Sequence, residues 1–240
     1  MARPSDPQKT GYVSRLFGRI APRYDLGNRV ISLGRDQGWR RQAVNDLAPV
    51  PGERVLDIGS GTGDLSIPLA LSGASITACD VNRAMMLLGE NKAAQAGASG
   101  VSYVLSDALR LPFADCVFDA AAAAFTVRNF ADLNQGIEEI ARVLKPYGRF
   151  VCLEFTRPPS NVIGAFYRPY LKHLLPLIGG ALTGDSGAYR YLTESIKDFA
   201  APAELAKLMK ASGFSTVDWR LLNMGTVAIH ICRKEPAGLS

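Results

Sequence analysis

One stretch constrains the fold of this chain more than any other: an apolar run, Arg54–Ile58, followed directly by three glycines at alternate positions, Gly59–Gly63. The run is typical of a buried strand, and the glycines let the backbone turn sharply and pass close to a ligand. A second strand-like run, Ser75–Cys79, is followed by Asp80. A strand, a glycine turn, a helix and a second strand ending in an acid form one nucleotide-binding half of an α/β sheet.

Strand-like and helix-like segments alternate through the middle of the chain, which favours a doubly wound parallel sheet. Five consecutive alanines, Ala120–Ala124, favour a helix by propensity, but the alternation predicts a strand there. We therefore predict an α/β fold with a seven-stranded, doubly wound, mostly parallel sheet and an antiparallel C-terminal hairpin. The predicted strands are 54–58, 75–79, 101–105, 117–125, 149–155, 214–222 and 226–233.

The segments before and after the predicted parallel strands are helical in pattern. Val13, Leu16, Phe17 and Ile20 recur at the spacing of an amphipathic helix. We predict an N-terminal helical cap over residues 1–48, which packs on the sheet from outside or covers its ligand edge. The sheet domain spans 49–240, and its regular alternation is interrupted by an insertion at about 157–200.

Composition narrows the class of protein and its compartment. The first 45 residues carry nine Lys/Arg and three Asp/Glu, which indicates either a solvated helix face or a surface for an anionic partner. The widely spaced cysteines indicate a reducing cytoplasm and argue against a zinc site. No apolar run reaches the roughly 18 residues of a spanning helix. We expect a cytoplasmic protein that at most lies on the inner face of the cell membrane. The cysteines are Cys79, Cys116, Cys152 and Cys232.

The glycine turn differs from the dinucleotide fingerprint because its third glycine comes one residue early. Its pattern, with an acid 17 residues after the last glycine, resembles motif I of class I S-adenosylmethionine-dependent methyltransferases. S-adenosylmethionine has no pyrophosphate, so no helix N-terminus has to receive one. Asp80 is placed for the ribose and Asp107 for the adenine amino group. A turn that only packs a strand on a helix, or a flavin or NAD site, are the alternatives. The predicted contacts of the turn are Asp57, Gly59, Gly61, Thr62 and Gly63.

Later motifs resemble the ubiquinone/menaquinone biosynthesis C-methyltransferase family over nearly the whole chain. They are Tyr24-Asp25, 125–130 (Phe-Thr-Val-Arg-Asn-Phe), 142–146, 153–158, Gly184-Asp185, 188–195 (Ala-Tyr-Arg-Tyr-Leu-Thr-Glu-Ser) and 225–230. The resemblance implies a Rossmann-like class I fold and cosubstrate contacts at Thr62, Asp80, Asp107 and Ala108. Ala124 stands where the family often has a serine, which leaves a backbone contact there.

The resemblance implies methylation of a ring carbon of a reduced polyprenyl quinone, demethylmenaquinol to menaquinol. The methoxy-benzoquinol of ubiquinone synthesis is the alternative substrate. The sulfonium carries its own leaving group, so no metal is expected. Arg128, Asn129 and Tyr24 are the candidate catalytic residues. The alternatives are an ion pair of Arg128 with Asp25 or Asp185, and ordinary aromatic packing of Tyr24.

Other features bear on partners. An apolar and aromatic stripe in the insertion fits an interfacial helix, a lid on the core or a homodimer contact. His230 falls in an apolar run, which favours a structural role. An RNA methyltransferase or another nucleic-acid-binding protein is a rival, but no basic run is interleaved with aromatics, so no nucleic-acid partner is expected. A cofactor-binding regulator without catalysis is a further rival. The stripe comprises Phe166, Tyr167, Tyr170, Leu171, Leu174 and Leu175.

Overall fold

The computed structural model describes residues 7–157 and 162–235. The predicted α/β fold is confirmed: seven strands form one sheet in the order β3-β2-β1-β4-β5-β7-β6. Strands β1 to β5 pair in parallel, and β7 is antiparallel to both β5 and β6. The strands are β1 Arg54–Ile58, β2 Ser75–Asp80, β3 Val101–Leu105, β4 Phe118–Ala124, β5 Leu144–Phe155, β6 Thr216–Leu222 and β7 Val227–Arg233.

Ten α-helices surround this sheet in the part of the chain that the structure describes. Their bounds are α1 Pro7–Ile20, α2 Tyr24–Ser32, α3 Arg35–Leu47, α4 Ser66–Ala70, α5 Arg83–Gln95, α6 Leu133–Val143, α7 Val162–Pro169, α8 Leu175–Thr183, α9 Ser186–Asp198 and α10 Pro202–Ala211. None of the helices within these described ranges is long and apolar enough to cross a membrane.

The alanine run of β4 is a strand buried on both faces, as the alternation predicted. Ala120, Ala122 and Ala124 belong to a cluster with the buried side of α3. Ala121 and Ala123 face the opposite cluster, built on α6 and α10. Small side chains at the centre of the sheet let both helical layers pack close to it. The strand order reverses between β1 and β4, which places a ligand crevice at their carboxyl ends.

The N-terminal helices both pack on the sheet and cover its ligand edge. Helix α3 lies against one face of the sheet through Trp39, Ala43 and Leu47. Helix α1 crosses the carboxyl edge instead. The side-chain Nδ2 of Asn82 donates to the Ser14 carbonyl at 2.6 Å, and the Ser14 hydroxyl donates to the Val81 carbonyl at 3.3 Å. Both predicted placements therefore occur, in different helices of the cap.

Strand β5 begins earlier than predicted. The chain forms no separate turn between α6 and β5, because pairing with β4 starts at Leu144, and four residues bulge before Arg149 pairs with Ala120. Tyr147 in this bulge has a positive φ of 62°. The Pro-Tyr-Gly segment thus produces an irregularity within the strand.

The insertion is more helical than predicted. Helices α7 and α8 are joined by a π-helical turn, Tyr170–Leu174, and α9 follows with Asp185 as its N-cap, accepting from the Ala188 amide at 3.1 Å. Most of the apolar stripe packs inward: Leu171 and Leu175 are buried in one cluster with α1 and α9. The stripe therefore forms a lid on the cap. The Phe166 side chain lies outside what the structure describes.

Ala122 offers a test of close packing at the sheet centre. We expect Ala122→Leu to lower the free energy of unfolding by about 1–3 kcal/mol, because the added atoms have to displace α3. Urea unfolding measures this change. The same substitution at exposed Ala211 should stay within about 0.5 kcal/mol of the wild type. Equal stability of the Ala122 variant and the wild type would contradict this packing.

Candidate active site

A cleft opens at the carboxyl ends of β1, β2, β3 and β4, where the glycine turn and the predicted acids meet. Helix α1 closes its outer side with Thr10, Val13, Ser14 and Phe17. Six of the predicted cosubstrate residues line the cleft: Gly59, Gly61, Asp80, Asp107, Ala108 and Ala124.

The turn needs glycine at two positions for different reasons. Gly59 has a φ of 65°, and a β-carbon there would collide with the Thr126 side chain. Gly63 has a φ of 80°, and a β-carbon added there would lie 3.4 Å from the Gly89 α-carbon on α5. Gly59 therefore lets the turn pack against Thr126 beyond β4, whereas Gly63 serves the strand–helix packing that was the alternative interpretation of the motif.

Asp80 is held rigidly at the floor of the cleft. One carboxylate oxygen accepts from the Gly61 amide at 2.9 Å, and the other accepts from the Asn82 amide at 2.8 Å. Burial raises the pKa of this carboxyl. Each oxygen keeps a second lone pair, so the carboxylate can accept from two neighbouring hydroxyls. The Asp107 carboxylate accepts from the Leu109 amide at 3.0 Å on the same edge.

Asp57 and Thr62 lie outside the lining of the cleft. The Thr62 hydroxyl donates to Asp25 on α2 at 2.6 Å, and the Ser66 hydroxyl donates to Asp57 at 2.5 Å. Burial raises the pKa of Asp57 to about 6. These contacts fix the turn from behind. Direct cosubstrate contacts by Asp57, Thr62 and Gly63 stay predictions.

A second, mostly apolar cavity of about 540 Å³ adjoins the cleft. It is enclosed by α2 and α3 of the cap, the insertion helices α8 and α9, and the ends of β4 and β5. Three aromatic side chains line both spaces: Phe17, Tyr24 and Phe125. Tyr24, one of the candidate catalytic residues, therefore lies at the junction of the two spaces. Burial raises the pKa of its phenol, so Tyr24 stays protonated at neutral pH.

The structure separates the Arg-Asn pair between the two spaces. Asn129 lines the cleft, where its side-chain oxygen accepts from the Tyr191 hydroxyl at 3.2 Å. Arg128 lines the large cavity. Its predicted alternative partners are wrong: Asp25 binds Lys92 at 2.6 Å, and Asp185 binds Arg19 at 2.8 Å.

Arg128 instead pairs with Glu154 on β5. The guanidinium and carboxylate are 2.6 Å apart, and their side chains are 2% and 1% exposed. Arg128 also donates to the Phe125 carbonyl at 2.6 Å. Sequence reasoning missed Glu154, although a lone acid inside the apolar run of β5 was a signal for a buried partner.

A stack of charged and aromatic groups borders the large cavity. The Phe125 and Phe155 ring centroids are 4.6 Å apart. The Arg40 guanidinium carbon lies 5.2 Å from the Phe125 centroid, and that of Arg128 lies 5.4 Å from the Phe155 centroid. Sequence reasoning missed Arg40 as well. Its spacing from Ala43 and Leu47 places it on the buried face of α3, which was the available signal.

His230 has the predicted structural role. It is buried, its Nε2 is 2.9 Å from the Pro202 carbonyl oxygen, and it lines neither the cleft nor the large cavity. Burial lowers the pKa of its imidazole, so the ring is neutral. No group of three His, Cys, Asp or Glu side chains suited to a metal ion occurs in residues 7–157 and 162–235.

The fold and the position of the cleft are those of the class I S-adenosylmethionine-dependent methyltransferases. Solved structures agree on the fold. A chain from Thermotoga maritima described as a SAM-dependent methyltransferase, possible histamine N-methyltransferase, gives a TM-score of 0.67 at 20% identity, covering 92% of this chain and 99% of that one. The [4+2]-cyclase SpnF gives a TM-score of 0.64 at 18% identity, covering 94% and 96%. This likeness shows the fold alone, since the second protein is named for another reaction.

Sequence comparison identifies the family. The chain belongs to the ubiE/COQ5 methyltransferase family, whose model matches residues 5–234. A protein of Thermus thermophilus named demethylmenaquinone methyltransferase is 45% identical, with 90% of this chain and 98% of that protein covered. One of the same name from Deinococcus radiodurans is 44% identical, with 96% of each covered. The resemblance seen in the sequence motifs is thereby confirmed.

The role of Asp80 can be tested by binding alone. We expect Asp80→Ala to weaken S-adenosylmethionine affinity roughly 100-fold or more, because two charge-assisted hydrogen bonds are lost. Isothermal titration calorimetry measures this affinity. The exposed Asp218→Ala variant on β6 is the matched control and should bind as the wild type does. Unchanged affinity of the Asp80 variant would remove this residue from the site.

Proposed function

We propose that this protein methylates a ring carbon of demethylmenaquinol, producing menaquinol, with S-adenosylmethionine as cosubstrate. The observation that carries the proposal is the pair of adjoining spaces. A polar cleft carries the acids suited to the cosubstrate, and it meets an apolar cavity of about 540 Å³ at Tyr24. Family membership and the names of the relatives support the same substrate class.

The cleft residues match the chemistry of S-adenosylmethionine. Asp80 is placed to accept from both ribose hydroxyls, and Asp107 and Ala108 border the space for the adenine. Gly59 and Gly61 allow the backbone to approach the amino-acid end of the ligand. When bound, the cosubstrate supplies a methyl group on a positively charged sulfur. The orientation of the bound cosubstrate toward the cavity depends on Phe17, Tyr24 and Phe125, which line both spaces.

Arg128 is suited to stabilise the ring oxygen next to the methylated carbon. Loss of the hydroxyl proton makes the ortho carbon nucleophilic, and a guanidinium donor in an apolar cavity stabilises the phenolate formed. Attack of this carbon on the methyl group would form the new carbon–carbon bond as the methyl–sulfur bond breaks, leaving S-adenosylhomocysteine. The ring carbon would then lose its hydrogen as a proton, and the ring oxygen would take up a proton to restore the quinol. Asn129 and Tyr24 border the point of transfer and exclude water there.

Glu154 changes how the role of Arg128 must be tested. Removing Arg128 alone leaves a buried carboxylate without a partner, which destabilises a protein by about 3–5 kcal/mol. A double variant, Arg128→Met with Glu154→Gln, removes both charges and keeps the volume. The Arg142→Met/Glu139→Gln variant is the matched control, since that pair on α6 is 2.7 Å apart and lines neither space.

The decisive measurement is mass spectrometry of reduced quinones after incubation with protein and S-adenosylmethionine. A short-chain demethylmenaquinol should gain one methyl group with the wild type and the control. Turnover by the Arg128/Glu154 double variant should fall roughly 100-fold, because a preorganised donor is lost while cosubstrate binding is kept. Methoxy-benzoquinol and RNA serve as competing substrates. Absence of methylation on any quinol would overturn the proposal.

We also propose that the protein contacts the membrane surface through the mouth of the large cavity. Two turns border this mouth and present Leu33, 83% exposed, and Met224, 66% exposed. Val30 and Leu174 are exposed beside them. Arg35 lies at the same rim. Exposed apolar side chains with an adjacent cation suit an anionic bilayer, and a polyprenyl chain has to leave the bilayer to reach the cavity.

Vesicle flotation tests this contact. The wild type should float with vesicles of phosphatidylglycerol and phosphatidylcholine, and Leu33→Asp should weaken that binding about 10-fold, because an inserted leucine is lost. Leu71→Asp replaces another exposed leucine, which lies outside the rim, and should not change binding. Flotation that is the same for both variants would contradict a contact at the mouth.

A further inference from the structure

Arg40 is a buried cation without a carboxylate partner. Its side chain lies on the inner face of α3, is 6% exposed and lines the large cavity. Its Nε has no hydrogen-bond partner, and Arg40 takes part in none of the ion pairs within 4.0 Å among the described residues. A buried charge without hydrogen-bonded partners is costly, so a group that is brought in from outside is the natural acceptor.

Neither nearby acid supplies that acceptor. Burial raises the pKa of Asp57 and the charge of Arg40 partly offsets this, but the Asp57 carboxylate accepts its hydrogen bond from the Ser66 hydroxyl. Asp36 lies one helical turn before Arg40 and lines the same cavity. Its carboxylate accepts instead from the Ser32 hydroxyl at 2.8 Å and from the Gln37 amide at 3.4 Å. Arg128 differs, because Glu154 neutralises it at 2.6 Å. The cavity thus holds one arginine with a carboxylate partner and one without.

The two arginines are placed against different rings of one aromatic pair, Arg40 on Phe125 and Arg128 on Phe155. Both arginines line the cavity, so a ligand ring bound there can meet two guanidinium groups. The two oxygens of a 1,4-quinol lie on opposite sides of its ring. We infer that Arg40 donates to the ring oxygen opposite the one that Arg128 faces, so the site selects rings with two para oxygens.

This inference rests on the proposed function, and it makes Arg40 a specificity-determining residue rather than a catalytic one. The bound oxygen is remote from the methylated carbon, so its loss should change KM more than kcat. A buried donor left without an acceptor penalises a ring that lacks the second oxygen. The rival role for Arg40 is purely structural, as a cation lying on Phe125. That role predicts the same KM for a ring with two para oxygens and for a ring with one.

The test compares two soluble substrates, a short-chain 2-prenyl-1,4-naphthohydroquinone kept reduced and 3-prenyl-1-naphthol, which lacks the second oxygen. With the wild type, KM for the diol should be about 10- to 100-fold lower than for the naphthol. Arg40→Met should raise KM for the diol and lower KM for the naphthol, because no buried donor is left unpaired, so that the two values approach each other. Arg41→Met, at the exposed neighbouring position, should behave as the wild type does.

Each outcome decides between the roles. Equal KM values for the two rings with the wild type, or discrimination that survives Arg40→Met, would overturn the inference while leaving quinol methylation intact. Methylation of neither ring by the wild type would instead overturn the proposed function. Arg40→Lys keeps a charged donor and should retain most of the discrimination, and thermal melting confirms that each variant is folded. Equal loss of discrimination in the folded Lys variant would also count against a donor role.

Discussion

The buried ion pair between Arg128 and Glu154 connects most of the structure. Glu154 is on β5, and Arg128 follows β4, so the pair fixes the end of the central strand against its neighbour. The same carboxylate accepts from the Arg128 and Phe155 amides at 3.2 and 2.9 Å, which orders the backbone beside the cavity. In the low dielectric of the protein interior, a hydrogen-bonded ion pair is held rigidly, and removing one partner strongly destabilises the fold. The cavity wall thereby acquires a positioned donor whose charge is already balanced.

A second network ties the glycine turn to the cap. Asp25 on α2 receives the Thr62 hydroxyl and the Lys92 ammonium, each at 2.6 Å. Lys92 on α5 also binds Asp64, just after the turn, at 2.5 Å. Two helices and the turn therefore share one set of charges. This arrangement holds the cap over the cleft. It also gives Thr62, a residue of the turn that does not line the cleft, a fixed position.

Local sequence patterns were enough to predict the features that lie within a single strand, turn or helix. The glycine turn, Asp80, Asp107 and the alternation of strands were all recoverable, because periodicity and glycine placement act within one element. The partner of Arg128 was not, since Glu154 is 26 residues away and meets it only after β4 and β5 pair. Arg40 was missed for the same reason. Its environment is built from three separate parts of the chain, and no single window contains them.

The crossing of α1 over the sheet edge has a consequence for traffic through the enzyme. Helix α1 borders the cleft on one side, whereas the rim of Leu33 and Met224 opens the other space elsewhere on the surface. In the proposed reaction, the water-soluble cosubstrate and the lipid-soluble quinol would therefore enter through separate openings that meet at Tyr24. The spent cosubstrate could then leave while the prenyl chain of the quinol stays bound. With the proposed membrane contact, repeated rounds of reaction would not require the protein to leave the bilayer surface.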